Sequence, residues 1–204
     1  MNKNNNLIEF KYQNIFNLRK TLKIMEFTKK FSEITKKDVG IAGGKGASLG
    51  EMTQAKIPVP EGYVILSEAF ENFIEKSELI AEIDAELDKV NIEDVNTSEQ
   101  ASEIIQALII NSEMPKDIQN EILKQFKELG AEFVAVRSSA TLEDSASTAW
   151  AGQLDSFLYV EKNNLILYVQ RCWASLFTPR ALFYRFEHGL QYKKVLVAVV
   201  IQRM

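Results

Sequence analysis

Residues 195–201, Val-Leu-Val-Ala-Val-Val-Ile, form the longest uninterrupted apolar run in the chain. A bilayer-spanning helix requires roughly 20 such residues, so this run reads instead as a fully buried strand. Phe133-Val-Ala-Val136 has the same character and leads straight into Arg137, and residues 154–160 follow as another strand after a polar loop of small residues. Residues 62–66, behind Pro58 and Pro60, form a further strand candidate. Between these runs the apolar residues recur at helical spacing. Ala47 to Ala55 reads as a short helix, and Ser67 is a natural N-cap for one carrying Phe70, Phe73 and Ile74. Ile80, Ile83, Leu87 and Val90 recur at the same period in an acid-rich stretch, which reads as a solvated helical face. Thr97 with Gln100 makes a capping box, Pro115 opens a helix that Gly130 ends, Leu165 to Trp173 marks another, and Thr178-Pro179 caps and starts the last. Helices and strands mix throughout with no solenoid or propeller repeat, so the pattern predicts an α+β fold.

With 204 residues, 46% of them hydrophobic, the chain can bury roughly two thirds of its unfolded surface and sustain one domain. A net charge of -4 argues against a nucleic-acid binder, which needs a basic stripe to displace counterions. The single cysteine, Cys172, rules out an internal disulfide framework and suits a reducing compartment, with the cytoplasm as the default. Residues 1–25 are weakly basic and lack the apolar stretch of a signal peptide, so they read as an extension, poorly ordered, ahead of a domain portion at 26–204.

Two segments carry chemistry. In Gly40-Ile-Ala-Gly-Gly-Lys-Gly46, glycines let backbone N–H groups approach an anion closely, a helix start adds partial positive charge, and Lys45 sits in the concavity. The Walker pattern fails, because Gly46 stands where Ser or Thr should follow the lysine, and a dinucleotide fingerprint fails at Leu49. A glycine turn that merely connects two elements explains the segment equally well. The second segment sets Arg137 at the carboxyl end of a strand, with the Ser138 and Ser139 hydroxyls as further donors. A guanidinium there matches phosphate oxygens bidentately, or pairs with Glu143 or Asp144 to order the loop.

Taken together, Gly43-Gly-Lys-Gly-Ala-Ser-Leu-Gly-Glu-Met52, Pro58-Val-Pro60, Val134-Ala-Val-Arg-Ser-Ser-Ala-Thr-Leu-Glu-Asp144 and Trp150-Ala-Gly-Gln-Leu-Asp155 resemble, in order and spacing, the phosphoenolpyruvate synthase and pyruvate phosphate dikinase family. Cys172-Trp-Ala-Ser-Leu-Phe-Thr-Pro-Arg180, Tyr184-Arg-Phe-Glu-His-Gly189 and Val197-Ala-Val-Val-Ile-Gln-Arg-Met204 extend the likeness, which covers about Phe27 to Met204. The resemblance implies an ATP-grasp fold in which two α+β lobes close on ATP, this chain supplying the first lobe and the start of the second. It assigns Lys45 to the ATP phosphates, Arg137 to the charge of a departing phosphoryl group, Gly152 to a backbone contact with the nucleotide, Ser156 to a position where relatives carry threonine, and Gln202 to the adenine side.

The implied partners are a C-terminal lobe, bearing acidic ligands for magnesium, and a phosphohistidine domain, in the same or a separate chain. His188 lacks the Thr-Ser-His setting of the carrier histidine and reads as structural, and Cys172 and Trp173 read as core. The implied activity is that of a pyruvate, water dikinase part, making phosphoenolpyruvate, AMP and phosphate from ATP, pyruvate and water, and incomplete as a catalyst alone. The alternatives are a stand-alone nucleotide-binding or partner-docking remnant, or part of a related dikinase such as rifampicin phosphotransferase.

Overall fold

The computed structural model describes residues 26–91, 93–141, 154–190 and 195–204. Within them the strands are β1 (Thr28–Lys30), β2 (Gly62–Ile65), β3 (Val134–Ala140), β4 (Ser156–Val160) and β5 (Val197–Arg203), in the sheet order β1-β2-β5-β3-β4. Every ladder is antiparallel. The helices are α1 (Val39–Gln54), α2 (Ser67–Lys76), α3 (Ile80–Leu87), α4 (Val95–Asn111), α5 (Lys116–Leu129), α6 (Leu165–Ala174) and α7 (Pro179–Glu187). The mixed α+β class expected from the sequence is therefore present. None of the described helices is long and apolar enough to cross a membrane.

Both faces of the sheet are covered, and the period of two along each strand sorts the side chains between them. Tyr63, Ile65, Val134, Val136, Val199 and Ile201 point into the larger core, built with α2, α4, α5, α6 and α7. Its centre is Trp173, fully buried between Phe70 and Phe73 at ring-centroid separations of 5.4 and 5.1 Å. Val64, Leu66, Ala198 and Val200 point the other way, onto Ala42 and Leu49 of α1 and onto Phe31 and Ile34. Two polar groups inside these layers tie separate elements together. The Gln170 amide donates to the carbonyls of Ile109 and Ser112 at the end of α4, at 2.9 and 2.7 Å, and Glu121 on α5 accepts from the Phe27 N–H and the Thr28 hydroxyl at the start of β1.

Several sequence signals hold. Pro115 precedes α5 and Gly130 ends it in the left-handed conformation, while Thr178 caps α7 through the Ala181 N–H. Others shift. Ser67 is the first residue of α2 rather than its cap, and the cap of α4 is Asp94, which accepts from the Asn96 N–H, rather than Thr97. The Thr97 hydroxyl instead closes the preceding turn by accepting from the Asn91 N–H at 2.9 Å.

Gly50 on α1 crosses the 31–34 turn so closely that a Cβ there would lie 2.9 Å from the Ile34 carbonyl carbon. Overpacking of this kind costs about 1–3 kcal/mol. Gly50→Ala is expected to lower the urea midpoint accordingly without changing the slope; an unaltered midpoint would mean that the 31–34 turn moves aside freely.

Candidate functional site

Helix α1 is broken at Gly43, whose φ of 67° and ψ of 171° split it into a short leading stretch and a longer one that carries Lys45. The helix thus begins before the glycines, at Val39, and not after them as the sequence predicts. Only glycine fits the break: φ is positive, and a Cβ would meet the Ser139 carbonyl carbon at 2.6 Å. The kink is where α1 presses on Ser139, near the end of β3.

Strand β3 runs through Arg137 to Ala140, so Arg137 lies mid-strand and not at a carboxyl end. The rule that ligands gather at strand ends belongs to open parallel sheets and does not apply to this antiparallel one. Register supplies the placement instead. Arg137 faces Ser156 on one side and Val200 on the other, and Ala135 faces Gln202. Directly opposed residues in an antiparallel pair share a face, and so do alternate residues along a strand. Arg137, Ser156 and Gln202 therefore all lie on the sheet face that α1 covers in part. Gln202 leans towards the strand edge, donating to the Pro60 carbonyl at 3.3 Å. Gly152, Glu143 and Asp144 lie outside the described residues.

Lys45 reaches the same face from above. Its ammonium donates to the Ser138 carbonyl at 2.8 Å, beyond the last registered β3–β4 pair. The ammonium is held below the ordinary lysine range, first by burial and then by the nearby Arg137 guanidinium. Among the described residues neither Lys45 nor Arg137 forms an ion pair. Two cations are thus neighbours on a half-buried spot, where among the described residues the Lys45 ammonium meets a neutral carbonyl. An anion is the chemical complement of that arrangement.

The hydroxyls play a different part from the one the sequence assigns them. Ser138 and Ser139 are both fully buried and engaged within the protein. The Ser138 hydroxyl lies 3.0 Å from the Asp155 carbonyl and 3.3 Å from that of Cys172, tying β3 to the end of α6. The Ser139 hydroxyl donates to the Ala42 carbonyl and accepts from the N–H groups of Lys45 and Gly46. Two of the amides expected to face an anion are thus already taken. No sequence signal distinguishes Ser139 from Ser138; only the packing of α1 does.

The remaining candidates are structural. His188 stacks on Tyr184 at 4.0 Å with its Nδ1 3.0 Å from the Tyr184 carbonyl, one turn back at the end of α7. Cys172 is fully buried beneath the lysine, and burial pushes its thiol up to about 12. Since the thiolate is the reactive form, the native chain is expected to resist iodoacetamide in mildly alkaline solution and to be alkylated once urea unfolds it. Mass spectrometry reads both; rapid labelling of the native chain would contradict this burial.

A family model described as pyruvate phosphate dikinase, AMP/ATP-binding domain, matches residues 39–204. Among curated proteins, the chain is 41% identical over 208 residues to a probable phosphoenolpyruvate synthase of Methanothermobacter thermautotrophicus, covering 98% of this chain and 30% of that protein. It is 37% identical to the phosphoenolpyruvate synthases of Pyrococcus furiosus, with 87% of this chain and 27% of the relative covered, and of Helicobacter pylori, with 88% and 24%. The chain spans less than a third of the length of these relatives.

Proposed function

The chain belongs to the family of the pyruvate phosphate dikinase AMP/ATP-binding domain, and on that premise we propose that Lys45 and Arg137 hold the phosphates of ATP in a phosphotransferase of the phosphoenolpyruvate synthase type. The observation that carries this reading is that the two cations are neighbours and that neither forms an ion pair among the described residues. A charged group in a half-buried site is stabilised by an opposite charge, and each charge-assisted bond to a phosphate oxygen contributes about 1.5–3 kcal/mol. The planar fork of the Arg137 guanidinium suits the spreading charge of a phosphoryl group in transfer.

In this reading the fold is the first lobe of an ATP-grasp domain with the start of the second, spanning 26–204 behind an extension at 1–25. Ser156, opposite Arg137, offers its hydroxyl to the same phosphates. Gly152 supplies a backbone contact, and Gln202 lies towards the adenine. Magnesium would be held by carboxylates of the second lobe, since hard cations take oxygen ligands. The complete protein would convert ATP, pyruvate and water to phosphoenolpyruvate, AMP and phosphate, with a histidine of another domain carrying the phosphoryl group.

Calorimetric titration with ATP tests the reading. Saturable binding is expected for the wild-type chain, with a loss of about 100-fold or more in the Lys45→Ala, Arg137→Ala double variant, roughly tenfold per cation. A folded wild-type chain that binds no ATP would overturn it.

The pH dependence has a definite sign. Bound phosphate favours the ammonium form of Lys45, so affinity should fall as pH rises through the depressed value of the free chain. In Arg137→Ala the like charge is gone, and whatever binding persists should fall at higher pH.

A further inference from the structure

We propose that Ser139 is the positioning residue that sets where the Lys45 ammonium can reach, by bridging the Gly43 kink to the strand that carries Arg137. The inference rests on the phosphate-binding reading of Lys45 and adds to it a residue that touches no nucleotide. A serine hydroxyl has one proton and two lone pairs, and in Ser139 all three are engaged. The proton goes to the Ala42 carbonyl at 3.0 Å, and the lone pairs accept from the Lys45 N–H at 3.1 Å and the Gly46 N–H at 3.3 Å. Ala42 precedes the kink while Lys45 and Gly46 follow it, so one buried atom holds both arms of the broken helix. Gly43 packs directly on the Ser139 backbone, with no room for a side chain between them.

The mechanical consequence follows from the lysine itself. Its ammonium ends a flexible four-carbon stem, so its reach is set by where the backbone is anchored. Here the anchor is two residues from Arg137 on the same strand and on the same face. The spacing between the two cations is therefore built into β3, rather than depending on the packing of α1 as a whole. A residue serving packing alone would stabilise the fold yet leave the environment of the ammonium unchanged, and this difference can be measured.

The test uses the full chain as wild type, Ser139→Ala and Ser139→Cys, the cysteine providing a weaker donor and acceptor in nearly the same volume should the alanine variant fail to fold. The Lys45 side-chain titration is followed by NMR, together with the thermal midpoint and ATP affinity. In Ser139→Ala the Lys45 titration is expected to move up towards the ordinary lysine range, and ATP affinity to fall about tenfold in chain that remains folded. Ser139→Cys should shift both in the same direction by less. Lys45 titrating as in wild type, with only the thermal midpoint lowered, would overturn the inference and leave Ser139 a packing residue. Absence of ATP binding in wild type would sink the nucleotide reading instead, and the Lys45 titration would still decide the role of Ser139.

Discussion

Strand β5 joins two parts of the chain that are far apart in sequence: it pairs with β2 along one edge and with β3 along the other. It is buried on both faces over Val197–Ile201. Without its ladders the β1–β2 pair and the β3–β4 pair would share no backbone contact, and the two cores would have no common floor. Such non-local pairing is costly in loop entropy and is repaid by the continuous apolar run that β5 contributes. The same register also aligns Gln202, Arg137 and Ser156 on one face.

On that face the protein holds an arrangement that is unfavourable in isolation. Lys45 is partly desolvated and lies beside another cation, which lowers its affinity for a proton. Folding tolerates this because the cost is local, whereas the surrounding groups are matched: the Ser138 and Ser139 hydroxyls have partners, the Ser138 carbonyl accepts the ammonium, and an apolar cluster packs on each side of the sheet. In the proposed reading, a site destabilised in this way and supported by a satisfied scaffold would be preorganised for an anion.

Particular residues show how far local signals reach. Pro115 and Gly130 bracket α5, and Thr178 with Pro179 starts α7, because their dihedral and hydrogen-bonding preferences act within a few residues. Thr97 misleads because Asp94 takes the Asn96 amide at the start of α4, and Ser67 misleads because α2 begins at Ser67 itself, with no side-chain cap. Arg137 looked like the residue after a strand because charge normally ends an apolar run. Pairing with both β4 and β5 carries the strand through it instead.

The amino-acid sequence by itself determined the mixed fold, the apolar strands, most helix ends and the identity of the two cationic residues, since period, breakers and charge are properties of short segments. Only the tertiary structure decided that α1 breaks at Gly43, that Ser139 rather than a ligand takes the amides of Lys45 and Gly46, and that Lys45 and Arg137 come together. Those outcomes depend on contacts between residues more than 90 positions apart. They are set by the close approach of a helix to a strand across the sheet, which no local pattern encodes.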